Sequence, residues 1–279
     1  MSVPGLVRNI LDSTSVEGYR WGEPRVASMA RILLEIIALT VEDCIAAESG
    51  GADRIELCAA ITTGGLTPSL GMLAECKKWT RIPIMAMVRP RAGGFCYSED
   101  DFTVMRRDAE LLLTHGADGI VFGLLHSDAT INTKRCQKML EVASGKQAVF
   151  HRAFDVVPHP VQALDALIDL GFTRVLTSGQ KKSALEGCEL LQRLNGHAAG
   201  RIEVLPGGGV RPHNVGQIVK AAGCTQVHLT AFSARCDAST SNSPITFGSI
   251  PGAPKSSFEC VDRDAVSRMR EALDALEGQ

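Results

Sequence analysis

A single (β/α)8 TIM-type barrel of the α/β class is the fold this sequence predicts. Three observations predict it: short apolar runs alternate eight times with segments of helical periodicity, glycines punctuate the helix ends, and the length suits one barrel. The chain has 279 residues, and barrels of this class need about 250 for one core. Apolar residues make up 45% and charged residues 22%, the mixture of a globular chain that buries a substantial core.

The alternation begins at residue 33. Candidate strands, each four to six residues long, fall at 33–38, 54–58, 84–88, 119–122, 147–151, 174–177, 202–205 and 226–230. They are short apolar or β-branched runs of the kind that fill a parallel sheet. Among the intervening helices, 99–115 and 160–170 have the clearest three- and four-residue apolar spacing. Several helices end alike, with GAD at 51–53 and 116–118, GFT at 171–173 and GCT at 223–225. Glycine just past a helix end is a C-cap signal, and each of these glycines precedes a strand within about three residues. The caps therefore mark the αβ turns at one end of the sheet, leaving the βα loops at the other. An open doubly wound sheet usually has five or six strands and a G-x-G-x-x-G in its first βα turn, and that motif is absent here. Residues 236–257, rich in Ser, Asn and Pro, read as an irregular loop after the eighth strand, followed by a last helix at 261–276. Residues 1–32 read as an N-terminal extension outside the fold, with Met29 available as a second start.

Several function classes are excluded or disfavoured. A formal charge of −2 with no Lys/Arg run provides no field for a nucleic-acid backbone. No stretch approaches the roughly 18 apolar residues of a membrane span. The nine cysteines are an odd number without framework spacing, which fits reduced thiols in the cytoplasm. No feature sets the oligomeric state, and a homodimer is among the arrangements the sequence allows.

In a barrel the chemistry sits at the C-terminal ends of the strands. Period-2 alternation puts Glu35 with Ile37 on one face of the first strand, and Arg54, Glu56 and Cys58 on one face of the second. The third strand runs into Arg89 and Arg91, the fifth into His151, Arg152 and Asp155, the sixth into Ser178, and the eighth contains His228. His151, with Asp155 four residues on, is a candidate general acid or base. Glu35 and Glu56 are candidates for the same role if burial raises their pKa; the alternative is structural pairing with Arg54 or Arg89. His228 reads first as a hydrogen-bonded structural residue, with ligand binding as the alternative. Gly207 and Gly208, in the run after the seventh strand, either let backbone approach an anion or only relieve crowding. With Arg89, Arg91 and Arg152 they suggest a small anionic, perhaps phosphorylated, ligand. No zinc-binding spacing is present. Cu(I) favours sulfur; Cys58 is the candidate by position, whereas Cys44, Cys76, Cys136 and Cys188 lie in helix patterns and read as core residues.

GADRIELC at 51–58, GGLTPS at 64–69, VRPR at 88–91, FHRAFD at 150–155, VLTSG at 175–179 and PGGGV at 206–210 together closely resemble the CutC family. The resemblance runs from about residue 33 to the eighth strand. It implies a cytoplasmic barrel linked to copper homeostasis, with copper as a cofactor or cargo. In some members a cysteine pair at the ends of strands one and two is a Cu(I) site; here the second matches Cys58 and the first falls at Ile37. Residues 92–94 read AGG where many members have Gly-Gly-Asp, so a carboxylate that the resemblance implies is missing. Two functions follow as expectations: copper binding through Cys58, or a lyase- or isomerase-type enzyme acting on an anionic metabolite.

Overall fold

The computed structural model describes residues 31–240, 242, 245 and 256–277. The expectations for 1–30 and for most of 241–255 lie outside these.

Eight parallel strands follow one another around a barrel: β1 Leu33–Ala38, β2 Arg54–Leu57, β3 Ile84–Met87, β4 Gly119–Phe122, β5 Gln147–Phe150, β6 Arg174–Thr177, β7 Glu203–Pro206 and β8 Gln226–Leu229. Each pairs with its sequence neighbour, β8 returns to β1, and a parallel bridge between Gly207 and His228 brings β7 to β8. Strands β2, β3, β5 and β8 end one residue earlier than the apolar pattern suggests, and β7 is shifted by one. Cys58, Val88 and His151, one residue past those ends, still donate backbone N–H groups to Ala38, Val121 and Phe122 on the neighbouring strands.

The helices form the outer ring: α1 Val41–Ser49, α2 Leu70–Trp79, α3 Glu99–Thr114, α4 Thr133–Ala143, α5 Pro160–Leu170, α6 Cys188–Ala198, α7 Val215–Ala222 and α8 Arg263–Glu277. Thr40 and Ser98 begin α1 and α3 with capping boxes, which satisfy backbone donors that the helix cannot. Gly51, Gly116, Gly171 and Gly223 all have positive φ, as the repeated glycine signal predicts.

Two apolar layers hold the barrel. The larger lies between strands and helices, and contains Leu34, Ile36, Ile55, Phe122 and Phe150. Cys44 and Cys76 belong to it, their sulfurs 3.3 Å apart between α1 and α2. The smaller lies inside the barrel, and contains Cys58, Met85, Val121, Val149 and Leu205. At the edges of the loop expected at 236–257, β9 Phe232–Cys236 and β10 Ser257–Val261 pair antiparallel. Val261 therefore ends a strand, and α8 starts two residues later. Ile32 is buried, and its N–H donates to Glu277 at 2.7 Å. Among the described residues, no helix is long and apolar enough to cross a membrane.

Candidate functional site

Strand register sets out the floor of the barrel. Glu35 stands beside Arg54 on β2 and His228 on β8. One Glu35 oxygen accepts from Arg54 and the other from His228 Nδ1 at 2.7 Å. Arg54 also donates to Gln226 at 2.8 Å, and Arg174 donates to Glu203 at 2.7 Å, to Gln226 at 3.0 Å and to Gln147 at 3.1 Å. Burial alone would raise the Glu35 pKa, but Arg54, His228 and Arg174 outweigh it and hold the carboxyl well below its usual range. Glu35 therefore pairs structurally, one of the two alternatives its position allowed.

Above this floor a pocket of about 340 Å³ opens at the C-terminal ends of the strands. Glu56, His151 and His228 face into it with Arg89, Arg152 and Arg211. Glu56 is 3% exposed, and its Oε2 has no hydrogen-bond partner. Burial, helped by the charge of Glu35 and opposed by His228 and Arg54, pushes its pKa up to about 7. His228 is subject to the same burial, which lowers its pKa, but Glu56 and Glu35 prevail and raise it.

His151 is 4% exposed. The backbone N–H of Ala153 donates to its Nδ1 at 3.2 Å, so Nδ1 is the acceptor and the neutral ring carries its proton on Nε2. That Nε2 is buried without a partner. Burial and the charge of Arg89 push the His151 pKa down to about 3, so the ring is neutral at physiological pH. Phe95 packs on it with ring centroids 4.9 Å apart. On another side is Gly123, where a Cβ would come within 2.6 Å of the imidazole.

The arginines divide. Arg152 donates through Nε to Asp155 at 2.7 Å and through Nη2 to Ser178 at 2.9 Å, leaving Nη1 toward Gly208. Arg211 reaches the pocket from beyond the glycine run. Arg89 lines the pocket but spends three donor bonds on the carbonyls of Thr63, Gly65 and Gly93, fastening two βα loops together. Arg91 is not at the pocket: it pairs with Asp101 at 2.9 Å and lies over Tyr97.

Other expectations are corrected in the same way. Asp155 does not orient His151; it accepts from Thr177 Oγ1 at 2.5 Å and from the backbone N–H groups of Ser178 and Gln180, clasping the loop after β5 to the loop after β6. Ser178 is fully buried and donates to the Lys181 carbonyl at 2.6 Å, outside the pocket lining. Gly207 serves packing, since a Cβ there would lie 2.6 Å from Leu176. Gly208 does line the pocket, and Gly209 joins it, with φ of +99° and +68°. Sequence reading missed Arg211 and Phe95. A cation two residues past a glycine turn was the available signal for Arg211; Phe95 sits in a loop and gave none.

Glu35, Glu56 and His228 bring ligand atoms within 4.8 Å of one another and could hold a metal ion. These are oxygen and nitrogen donors, whereas Cu(I) favours sulfur, and Arg54 and His228 already occupy both Glu35 oxygens. Cys58 is fully buried below the pocket, and burial, then Glu56 and Asp43, push its thiol up. Its sulfur and the Met87 methyl both lie within 3.6 Å of where a Cβ on Gly65 would be. Ile37 stands where a second thiol would be needed, and Cys96 is exposed in the loop after β3. Two-thiolate capture of Cu(I) by the strand-end pair does not fit this chain.

A nearly closed parallel barrel with buried, partly unpartnered ionisable groups and cations around a pocket at its C-terminal mouth defines a (β/α)8 protein. Comparison with known proteins narrows the class. The CutC family model matches residues 32–233. A CutC family protein of Treponema denticola is 47% identical over 88% of this chain and 100% of its own length. A human relative, named copper homeostasis protein cutC homolog, is 42% identical over 88% of each chain. The crystal structure of a Streptococcus agalactiae protein described as copper homeostasis protein CutC superposes with a TM-score of 0.69 at 33% identity, covering 71% of this chain and 98% of that one. The chain belongs to the CutC family.

Proposed function

We propose that this chain is an enzyme that carries out acid–base chemistry on a small anionic metabolite at the barrel mouth. The observation that carries the reading is Glu56: a buried carboxyl with an unpartnered oxygen, facing a pocket and held near neutrality. A buried polar atom left without a partner costs about 1–3 kcal/mol, and a group poised near pH 7 is suited to exchange protons. Arg152 and Arg211 supply the charge that recognises an anion. The nine cysteines suit a reducing cytoplasm.

The test has two arms. The Glu56 carboxyl is followed by carbon-13 NMR against pH, with Glu56→Gln as the assignment control, and is expected to titrate near 7. A panel of anionic metabolites is screened by thermal shift and then for turnover. Glu56→Gln is expected to retain binding and lose turnover by 100-fold or more, on the order of what a positioned acid or base contributes. A carboxyl that titrates in the ordinary range, or turnover indifferent to Glu56→Gln, would overturn the reading.

Copper homeostasis, the role in the names of relatives, is the second reading, supported by Cys58 with the Met87 side chain beside it. Anaerobic Cu(I) titration against a competing chelator, with Cys58→Ser and Cys96→Ser alongside, decides it. Tight binding lost with Cys58 supports copper handling, and weak binding indifferent to both thiols removes it.

A further inference from the structure

Three residues lining the pocket carry a buried polar atom without a partner, Glu56, His151 and Arg89; the rest of the Arg89 guanidinium is bonded to loop carbonyls, and the other two differ in kind. Glu56 Oε2 is a carboxyl oxygen, able to take a proton. His151 Nε2 is a donor only, because the Ala153 N–H fixes the tautomer by occupying Nδ1. A neutral imidazole donor is matched to an oxygen that gains negative charge during reaction, as a carbonyl does when a proton leaves the neighbouring carbon. The third feature is the corner where Gly208 keeps a side chain away from the free Nη1 of Arg152, in the pocket that Gly209 and Arg211 also line. Loops after strands seven and eight are where barrels of this class commonly bind phosphate.

Resting on the acid–base reading above, we propose that the substrate is a phosphorylated carbonyl compound with a removable proton next to the carbonyl, enolised between Glu56 and His151. The carbon–hydrogen bond breaks and its proton passes to the Glu56 carboxylate. The bonding pair forms the carbon–carbon double bond, while the carbonyl π pair moves to oxygen. That oxygen accepts the hydrogen bond from His151 Nε2. Return of the proton from Glu56 to carbon completes the cycle, so the minimum reaction is exchange of that hydrogen with solvent and no oxidant or cofactor is consumed. Arg152, Arg211 and the glycine corner hold the phosphate.

Binding of three probes separates these parts by calorimetry on the full chain: inorganic phosphate, glycolohydroxamate and phosphoglycolohydroxamate, the last combining a phosphate with an enediolate mimic. Phosphoglycolohydroxamate is expected to bind at least tenfold more tightly than either fragment. His151→Phe should remove that advantage while leaving phosphate affinity unchanged, which also shows that the variant is folded. His151→Gln keeps a side-chain N–H donor and should recover part of the advantage. Arg152→Gln should weaken phosphate and phosphoglycolohydroxamate alike, by about tenfold. Equal affinity of phosphate and phosphoglycolohydroxamate, or an advantage that survives His151→Phe, overturns the enolisation assignment. Absence of phosphate binding overturns the phosphate assignment. Neither result touches the Glu56 titration and turnover, on which the broader acid–base reading stands or falls.

Discussion

The two ends of the barrel interior use similar residues to opposite effect. At the floor, Arg54, Arg174, Glu35, Glu203 and Gln226 bond to one another, and each carboxylate faces a guanidinium. At the mouth, Glu56 and His151 are as deeply buried, yet each keeps a polar atom without a partner. Burial of charge therefore does not distinguish structure from function in this barrel; the state of the carboxyls does, since the floor leaves Nη1 of Arg174 without a partner while its Glu35 accepts bonds on both oxygens. A bonded carboxylate holds strands in register, whereas an unpartnered one keeps its bonding capacity for a ligand.

That contrast can be broken experimentally. The largest effect is expected at His151. Its pKa is lowered from 6.5 to about 3 in the folded chain, so as pH falls the unfolded chain binds a proton that the native one refuses. Stability is present above pH 6.5 and lost on the way to pH 3. The loss attributable to this residue is about 5 kcal/mol, read from urea denaturation across that range as the difference in slope between the parent and His151→Gln. Next comes the floor. Glu35→Ala leaves Arg54 and His228 without their carboxylate partner and should cost about 3–5 kcal/mol at pH 7. A loss under about 1 kcal/mol would show that the floor is not held by this carboxylate.

Glu56 should behave in the opposite sense to Glu35. Its pKa is raised from 4.5 to about 7, so as pH rises the unfolded chain ionises first and the native state loses stability. Glu56→Gln removes that penalty. The variant should match the parent's pH trend below pH 4.5, then gain on it up to about 3 kcal/mol near pH 8; a constant difference would count against the mouth being poised. The smallest effect sharpens the assignment of the arginines. Arg91→Gln loses a partly exposed pair with Asp101, of the kind that solvent screening leaves with little effect on stability, and should leave phosphate affinity unchanged.

How much of this was legible in the sequence differs between the same two levels. The barrel was readable because its strands are short, apolar and bounded by glycines such as Gly116 and Gly171, whose positive φ few other residues tolerate. That Glu35 shares a face with Ile37, and Arg54 with Glu56 and Cys58, followed from alternation; the structure makes those faces the inner ones, with Ile37 and Cys58 in the layer inside the barrel. Which polar residues bond to each other did not, because that depends on loop geometry. Asp155 lies four residues after His151, yet its carboxylate turns to the loop after β6. Arg91 stands two residues after Arg89, yet its guanidinium turns outward to α3. The irregular composition at 236–257 concealed the β9–β10 pair, whose strands begin and end at the edges of that stretch.

Gly123 offers a way to adjust the site without altering its charges. The imidazole of His151 sits against the bare backbone of that residue, within 2.6 Å of where a methyl group would project. Alanine there must displace the ring, because real side chains do not approach so closely. The change would add no ionisable group and remove none, yet it would re-aim the Nε2 donor by a fraction of an ångström. Position 123 is in that sense a mechanical control on the site, by which alignment can be varied while acidity is held fixed.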